Sequence, residues 1–169
     1  MNSLRVASNT GPIIHLAQIR GLFLLKELYG EVLITDEVRR EAVNIGEKER
    51  CPDVILIENA IQKRWIKIVN SGERKEEFIR FGIHQAEAEI ISYALEENVD
   101  LILLDDDAAR EVARTLSLEV RGSIGILIEA LKKNKISKRK ALKMLDRLTD
   151  VMYLNSKVYK TARDSVELI

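Results

Sequence analysis

Short apolar runs alternate with amphipathic stretches along this chain. LRVAS (4–8), EVLIT (31–35), WIKIV (65–69), LILL (101–104) and SLEVRG (117–122) have strand length, and LILL is continuous enough to be buried on both faces. Segments with helical spacing lie between them: IIHLAQI, Leu22 to Leu28 closing near Gly30, Asp36 to Val43, Val54 to Gln62, Gln85 to Asn98, and AAREVARTL (108–116). Three more follow, from Gly122 to Lys133, Lys138 to Leu148, and Ser156 to Glu167. Gly11-Pro12 is expected to break the chain before the first helix, and residues 44–52 and 71–77 to be polar loops. Strands alternating with helices predict right-handed crossovers and an α/β fold with a mainly parallel sheet. Nothing marks an internal repeat or a boundary, so residues 1–169 are expected to form one domain, with 134–169 supplying C-terminal helices.

A parallel sheet of this kind gathers its chemistry at the carboxyl ends of its strands. Asp105, Asp106 and Asp107 follow LILL directly, and Asn9 follows LRVAS. Neighbouring carboxylates about 4 Å apart near a surface repel by about 4 kcal/mol. One aspartate can be spent as the cap of the next helix, and Asp107 is the one least needed elsewhere. At 100° per residue, Glu87 falls inside the apolar stripe of Ile91, Ala94 and Leu95, whereas Glu89 falls on the opposite side. Glu41 lies between Val38 and Ala42 in the stripe Val38, Ala42, Ile45. Taken singly, each glutamate also suits a partly exposed or arginine-paired position. An inward carboxylate costs free energy unless it is paired or bound to a metal. Clustered carboxylates without histidine or thiolate ligands suit a hard cation, Mg²⁺ or Mn²⁺, whose usual use is phosphoryl chemistry.

Composition changes this picture little. Lys plus Arg (27) equals Asp plus Glu (27), so global charge favours neither nucleic acid nor membrane. A polyanion would need a local patch, and KKNKISKRKALK (132–143) is the candidate, with Lys132, Lys133, Lys138 and Arg139 as phosphate contacts. The competing reading is a solvated helix face. The single cysteine, Cys51, rules out an internal disulfide and fits a reducing cytoplasm. With only His15 and His84 beside it, a zinc site is not expected. No apolar run reaches membrane-span length, and the N-terminus lacks a signal-peptide layout. Gly122 and Gly125 form no phosphate-binding fingerprint. His84 is placed to touch a substrate or simply to start a helix, and His15 reads as a core-edge residue. Trp65 and the tyrosines are too scattered for a base-stacking platform. A phosphoacceptor receiver would need an acid pair after the first strand, where this chain has Asn9. The abundance of Lys, Glu, Arg and Ile leans towards a heat-adapted source.

VASNTGPIIHLAQIRGLFLL, EVLITDEVRREAV, HQAEAEIISYA, LLDDDAAR and VRGSIGILIEALKKNKIS resemble, in that order and spacing, the PIN-domain family of metal-dependent nucleases, which includes many toxins of prokaryotic toxin–antitoxin pairs. The resemblance spans nearly the whole chain and implies a PIN-like three-layer α/β/α sandwich. It implies RNA phosphodiester hydrolysis at an acidic pocket in which Glu41, Glu87, Asp105 and Asp106 hold one or two Mg²⁺ or Mn²⁺ ions. It further implies a homodimer and a possible antitoxin partner. Two positions depart from the family pattern. Asn9 stands where the first aspartate is usual, an amide oxygen that can ligate a hard cation but adds no charge. Leu104 stands where a threonine is usual, with Ser8 and Thr10 as the nearby hydroxyls. The alternative implied by Asn9 is a weakened PIN fold that binds RNA or a partner protein without cutting.

Overall fold

The computed structural model describes residues 4–49 and 52–169; Cys51 and the Ile45 side chain lie outside the described residues. β1 (Val6–Ser8) leads into α1 (Thr10–Gln18) and α2 (Phe23–Tyr29). β2 (Val32–Thr35), α3 (Asp36–Glu49), α4 (Pro52–Gln62) and β3 (Ile66–Val69) complete one half. α5 (Lys75–Arg80), α6 (Gln85–Glu96), β4 (Leu101–Leu103), α7 (Asp107–Thr115), β5 (Val120–Arg121) and α8 (Ser123–Lys132) form the other. α9 (Lys138–Val151) and α10 (Ser156–Leu168) close the chain.

The five strands pair in parallel in the order β3-β2-β1-β4-β5. The chain therefore winds outward from β1 to one edge, then crosses to β4 and winds to the other. Between β1 and β4 lies the switch point, where helices leave the sheet on opposite faces and open a crevice at the strand ends. Ser8 pairs with Leu103, and the Asn9 N–H donates to the Leu103 carbonyl at 3.0 Å. This pairing sets Asn9 beside the start of the aspartate run.

Alternation along the strands divides the core in two. Val6, Val32, Ile34, Leu101 and Leu103 pack on one face against Ile13 and Leu16 of α1, Leu24 of α2 and Leu127 of α8. Ala7, Leu33 and Ile102 pack on the other against Phe78 of α5, Ile90 and Ile91 of α6, and Ala109 of α7. The result is a helix–sheet–helix sandwich. Met144, Leu145 and Leu148 of α9 and Ala162 and Val166 of α10 join the first cluster. Each large apolar side chain so buried contributes about 1.5–3 kcal/mol, so the C-terminal helices are part of the core.

Four local expectations change. Gly11 and Pro12 begin α1 instead of preceding it, because first-turn N–H groups have no intrahelical partner and proline needs none. The supposed loop after Val43 continues α3 to Glu49, and α4 already starts at Pro52. Within the polar 71–77 stretch, α5 starts at Lys75 and buries Phe78. That short helix covers the side of α6 assigned to solvent. Glu89 is consequently buried, held by Lys75 Nζ at 3.4 Å and Gln85 Nε2 at 3.1 Å. Gly30 stops α2 with φ of 75°, the left-handed region glycine enters freely.

Gly72 fixes the approach of the loop before α5. A Cβ there would stand 2.2 Å from Ser92 Oγ and 2.4 Å from Ser92 C and Tyr93 N, and backbone cannot yield as a flexible side-chain tip can. Gly72→Ala is expected to destabilise the protein by about 1–3 kcal/mol, a melting-temperature fall of roughly 2–4 °C per kcal/mol. An unchanged thermal melt would contradict this packing.

Candidate active site

The three aspartates after β4 part company. Asp105 turns inward: its Oδ1 accepts from the Ser123 N–H at 2.7 Å, and its Oδ2 accepts from Ser123 Oγ at 2.6 Å. His15 Nδ1 lies 2.7 Å from the same Oδ2. One carboxylate thus ties β4 to the start of α8 and to α1. Asp106 is the N-cap of α7, its Oδ1 accepting from the Ala109 N–H at 2.9 Å. The cap is therefore Asp106, whereas Asp107 is an exposed residue of the first turn. Acids in that turn are favoured by the helix dipole. Hydrogen bonds thereby offset part of the repulsion that the sequence alone leaves unexplained.

An open cleft of about 630 Å³ lies at this switch point. Asn9, Thr10, Glu41, Glu87, Asp105 and Asp106 all line it, together with both histidines. Five candidate ligands from four separated segments thus meet at one cleft. Glu41, midway along α3, is held by Thr10 Oγ1, which donates to its Oε2 at 2.5 Å. Glu87 sits in the first turn of α6, the helix that His84 caps, and is buried. Burial, and after it the Asp106 carboxylate, raises the Glu87 carboxyl above the ordinary glutamate range; Glu41 adds to this and His84 opposes it.

Asn9 is the unusual member. It is buried, its Nδ2 donates to Glu87 Oε1 at 3.4 Å, and its Oδ1 has no hydrogen-bond partner among the described residues. Reversing the amide would set oxygen against the Glu87 carboxylate, so the Glu87 charge fixes its orientation. A buried, unpaired carbonyl oxygen costs about 1–3 kcal/mol. Oε1 of Glu41 and Oδ2 of Asp106 are also without hydrogen bonds among the described residues. Every ligand these four residues offer is an oxygen, which matches Mg²⁺ or Mn²⁺ in hardness. Among the described residues no three acidic, histidine or cysteine groups already stand together as a metal cluster. The ligand chemistry and the orphaned oxygen fit a hard cation; both oxygens of Asp105 are already engaged.

The cationic segment lies elsewhere. Lys132 and Lys133 end α8, the helix whose first residue, Ser123, touches Asp105. At about 1.5 Å per residue this separates the two by roughly 13 Å. Lys133 pairs with Glu129 at 2.8 Å, Lys138 donates to the Glu167 carbonyl at 2.9 Å, and Arg139 is exposed. None of these lines the cleft. His15 and Ser123 emerge as site residues that the sequence reading passed over. Ser123 could have been found by applying the strand-end rule to β5 as it was applied to β1 and β4.

The model of a family described as a PIN domain matches residues 5–167. The chain therefore belongs to the PIN-domain family, whose members are generally nucleases. No curated protein and no solved structure matches the chain significantly. No described helix is long and apolar enough to cross a membrane.

Proposed function

We propose that the protein is a Mg²⁺- or Mn²⁺-dependent ribonuclease acting at the cleft between β1 and β4. The observation that carries this reading is Asn9 Oδ1, a buried oxygen without a partner among the described residues, in a cleft that five carboxylates also line. An anionic cleft repels a phosphodiester unless cations occupy it. Asn9, Glu41, Glu87 and Asp106 would hold the ion, which supplies an activated water and neutralises charge on the phosphate. Thr10 steadies Glu41, and the α7 cap steadies Asp106. Asp105, tied to His15 and Ser123, fixes the strand end on which the site is built. Family resemblance alone carries the finer reading of a homodimeric toxin paired with an antitoxin.

The test is incubation of the purified chain with single-stranded RNA and Mn²⁺, with cleavage abolished by a chelator. A second reading, a PIN fold that holds RNA without cutting, is favoured by Asn9, which brings no charge to the ion. Asn9→Asp separates the two. By adding a charged ligand, it is expected to tighten Mn²⁺ binding at least roughly tenfold by calorimetry. If wild type retains RNA uncut and the variant cuts it, the weakened-site reading holds. If Mn²⁺ binds neither protein, the metal site is wrong.

A further inference from the structure

Beside the acidic cleft is a smaller hollow of about 130 Å³, sharing Asp105, Asp107, Met152 and Tyr153 with it. Two of its features have no structural explanation in the fold. The first is Tyr153, in the link between α9 and α10, which borders both hollows and yet is 90% exposed. An aromatic side chain so placed gains little from packing and presents a face to whatever enters. The second is Arg110, on α7, partly buried in the wall of the smaller hollow. Its guanidinium makes no ion pair or side-chain hydrogen bond among the described residues, although aspartates line the same wall. It lies close against Gly122: a Cβ there would stand 2.3 Å from Arg110 Nη1 and 3.0 Å from Asp105 Oδ1. Gly122 has an extended backbone that any residue adopts, so its missing side chain leaves room for the guanidinium tip, which would shift if a Cβ were added. The fold thus keeps space for a planar cation with unused donors beside an exposed aromatic ring.

We propose that Tyr153 and Arg110 form a subsite for a nucleotide flanking the scissile bond, Tyr153 stacking on its base and Arg110 binding its phosphate. This deepens, and rests on, the nuclease reading of the neighbouring cleft. A planar fork of N–H donors suits phosphate oxygens, and an exposed aromatic face stacks on any unpaired base. In a duplex the bases are already stacked and their faces covered, so the subsite selects single-stranded substrate.

The test measures binding of a fluorescein-labelled single-stranded octaribonucleotide to the full chain by anisotropy, with and without Ca²⁺, beside the same sequence as a duplex. Tyr153→Ala is expected to weaken single-strand binding roughly 5- to 100-fold, while Tyr153→Phe stays within about twofold because it keeps the ring. Melting temperature is expected to be unchanged in both, since the side chain is exposed. Arg110→Ala is expected to lower the salt slope of single-strand binding by about 0.7, the value for one lost phosphate contact, and Arg110→Lys to restore it. Duplex binding is expected not to respond to Tyr153→Ala. The proposal is overturned if wild type fails to bind the single strand in both conditions, if Tyr153→Ala binds like wild type, or if Tyr153→Phe loses as much as Tyr153→Ala. Cleavage in Mn²⁺ with an unchanged KM in Tyr153→Ala sinks the subsite and leaves the nuclease standing. Ring-dependent binding without any cleavage sinks the nuclease reading and leaves the subsite.

Discussion

Glu87→Gln is expected to lower Mn²⁺-supported RNA cleavage roughly 100- to 1000-fold, the scale of loss when one preorganised electrostatic group is removed from an active site, and to raise the melting temperature at neutral pH. The two effects share a cause. Burial and the facing Asp106 and Glu41 carboxylates hold the Glu87 carboxyl above its ordinary range. The folded state therefore takes up a proton more readily than the unfolded chain. Such a group contributes stability that is fully present below the unfolded pKa, about 4.3 for glutamate, and is lost as pH rises through the raised folded pKa. At neutral pH wild type carries the whole penalty, whereas the amide carries none. The advantage of the variant should shrink to nothing on acidification below the ordinary glutamate range. Mn²⁺ should reverse the order by stabilising wild type more than the variant. Parallel pH–melting curves for the two proteins would remove the physical basis for placing an ion beside Glu87.

Asp105→Ala is expected to act in the opposite sense, costing about 3 kcal/mol and lowering the melting temperature by roughly 6–12 °C. The Asp105 side chain is only 6% exposed, and its removal strands the Ser123 N–H, the Ser123 hydroxyl and His15 together. Those contacts join β4, α8 and α1, so their loss loosens the frame of the cleft as well as the fold. Loss of the Asp106 cap should cost less, about 1 kcal/mol, because only one N–H, that of Ala109 in the first turn of α7, loses its partner. Two neighbouring aspartates are thus expected to differ about threefold in their effect on stability. Thermal melts of Asp105→Ala and Asp106→Ala decide the matter, and equal values would refute the division of labour between them.

Much of this was legible in the chain. LILL and EVLIT are strands because their apolar, β-branched residues fit a sheet covered on both sides, and β4 and β2 lie where those runs do. Glu87 and Glu41 could be picked out by helical phase, since 100° per residue places them on the sides carrying Ile91 and Val38. The same rule misplaced Glu89. Phase identifies the face a helix turns to its largest neighbour, but it is blind to a second helix on the flank, and α5 begins in the most polar stretch of the sequence. Pro12 was misread for a related reason: a residue that breaks a helix in its middle is well suited to its first turn.

The order of strands and helices, the location of chemistry at strand ends and the oxygen-only character of the ligands belonged to the sequence itself, because each depends on local periodicity or on side-chain type. Which aspartate caps, which one anchors, and that Asn9 retains an unpaired oxygen depended on the folded chain. So did the meeting of Tyr153 and Arg110 at one hollow. Those outcomes are settled by groups 18 to 90 positions apart competing for the same hydrogen-bond donors and the same space. No pattern within a single segment contains that competition; it exists only once the sheet has brought β1, β4 and β5 side by side.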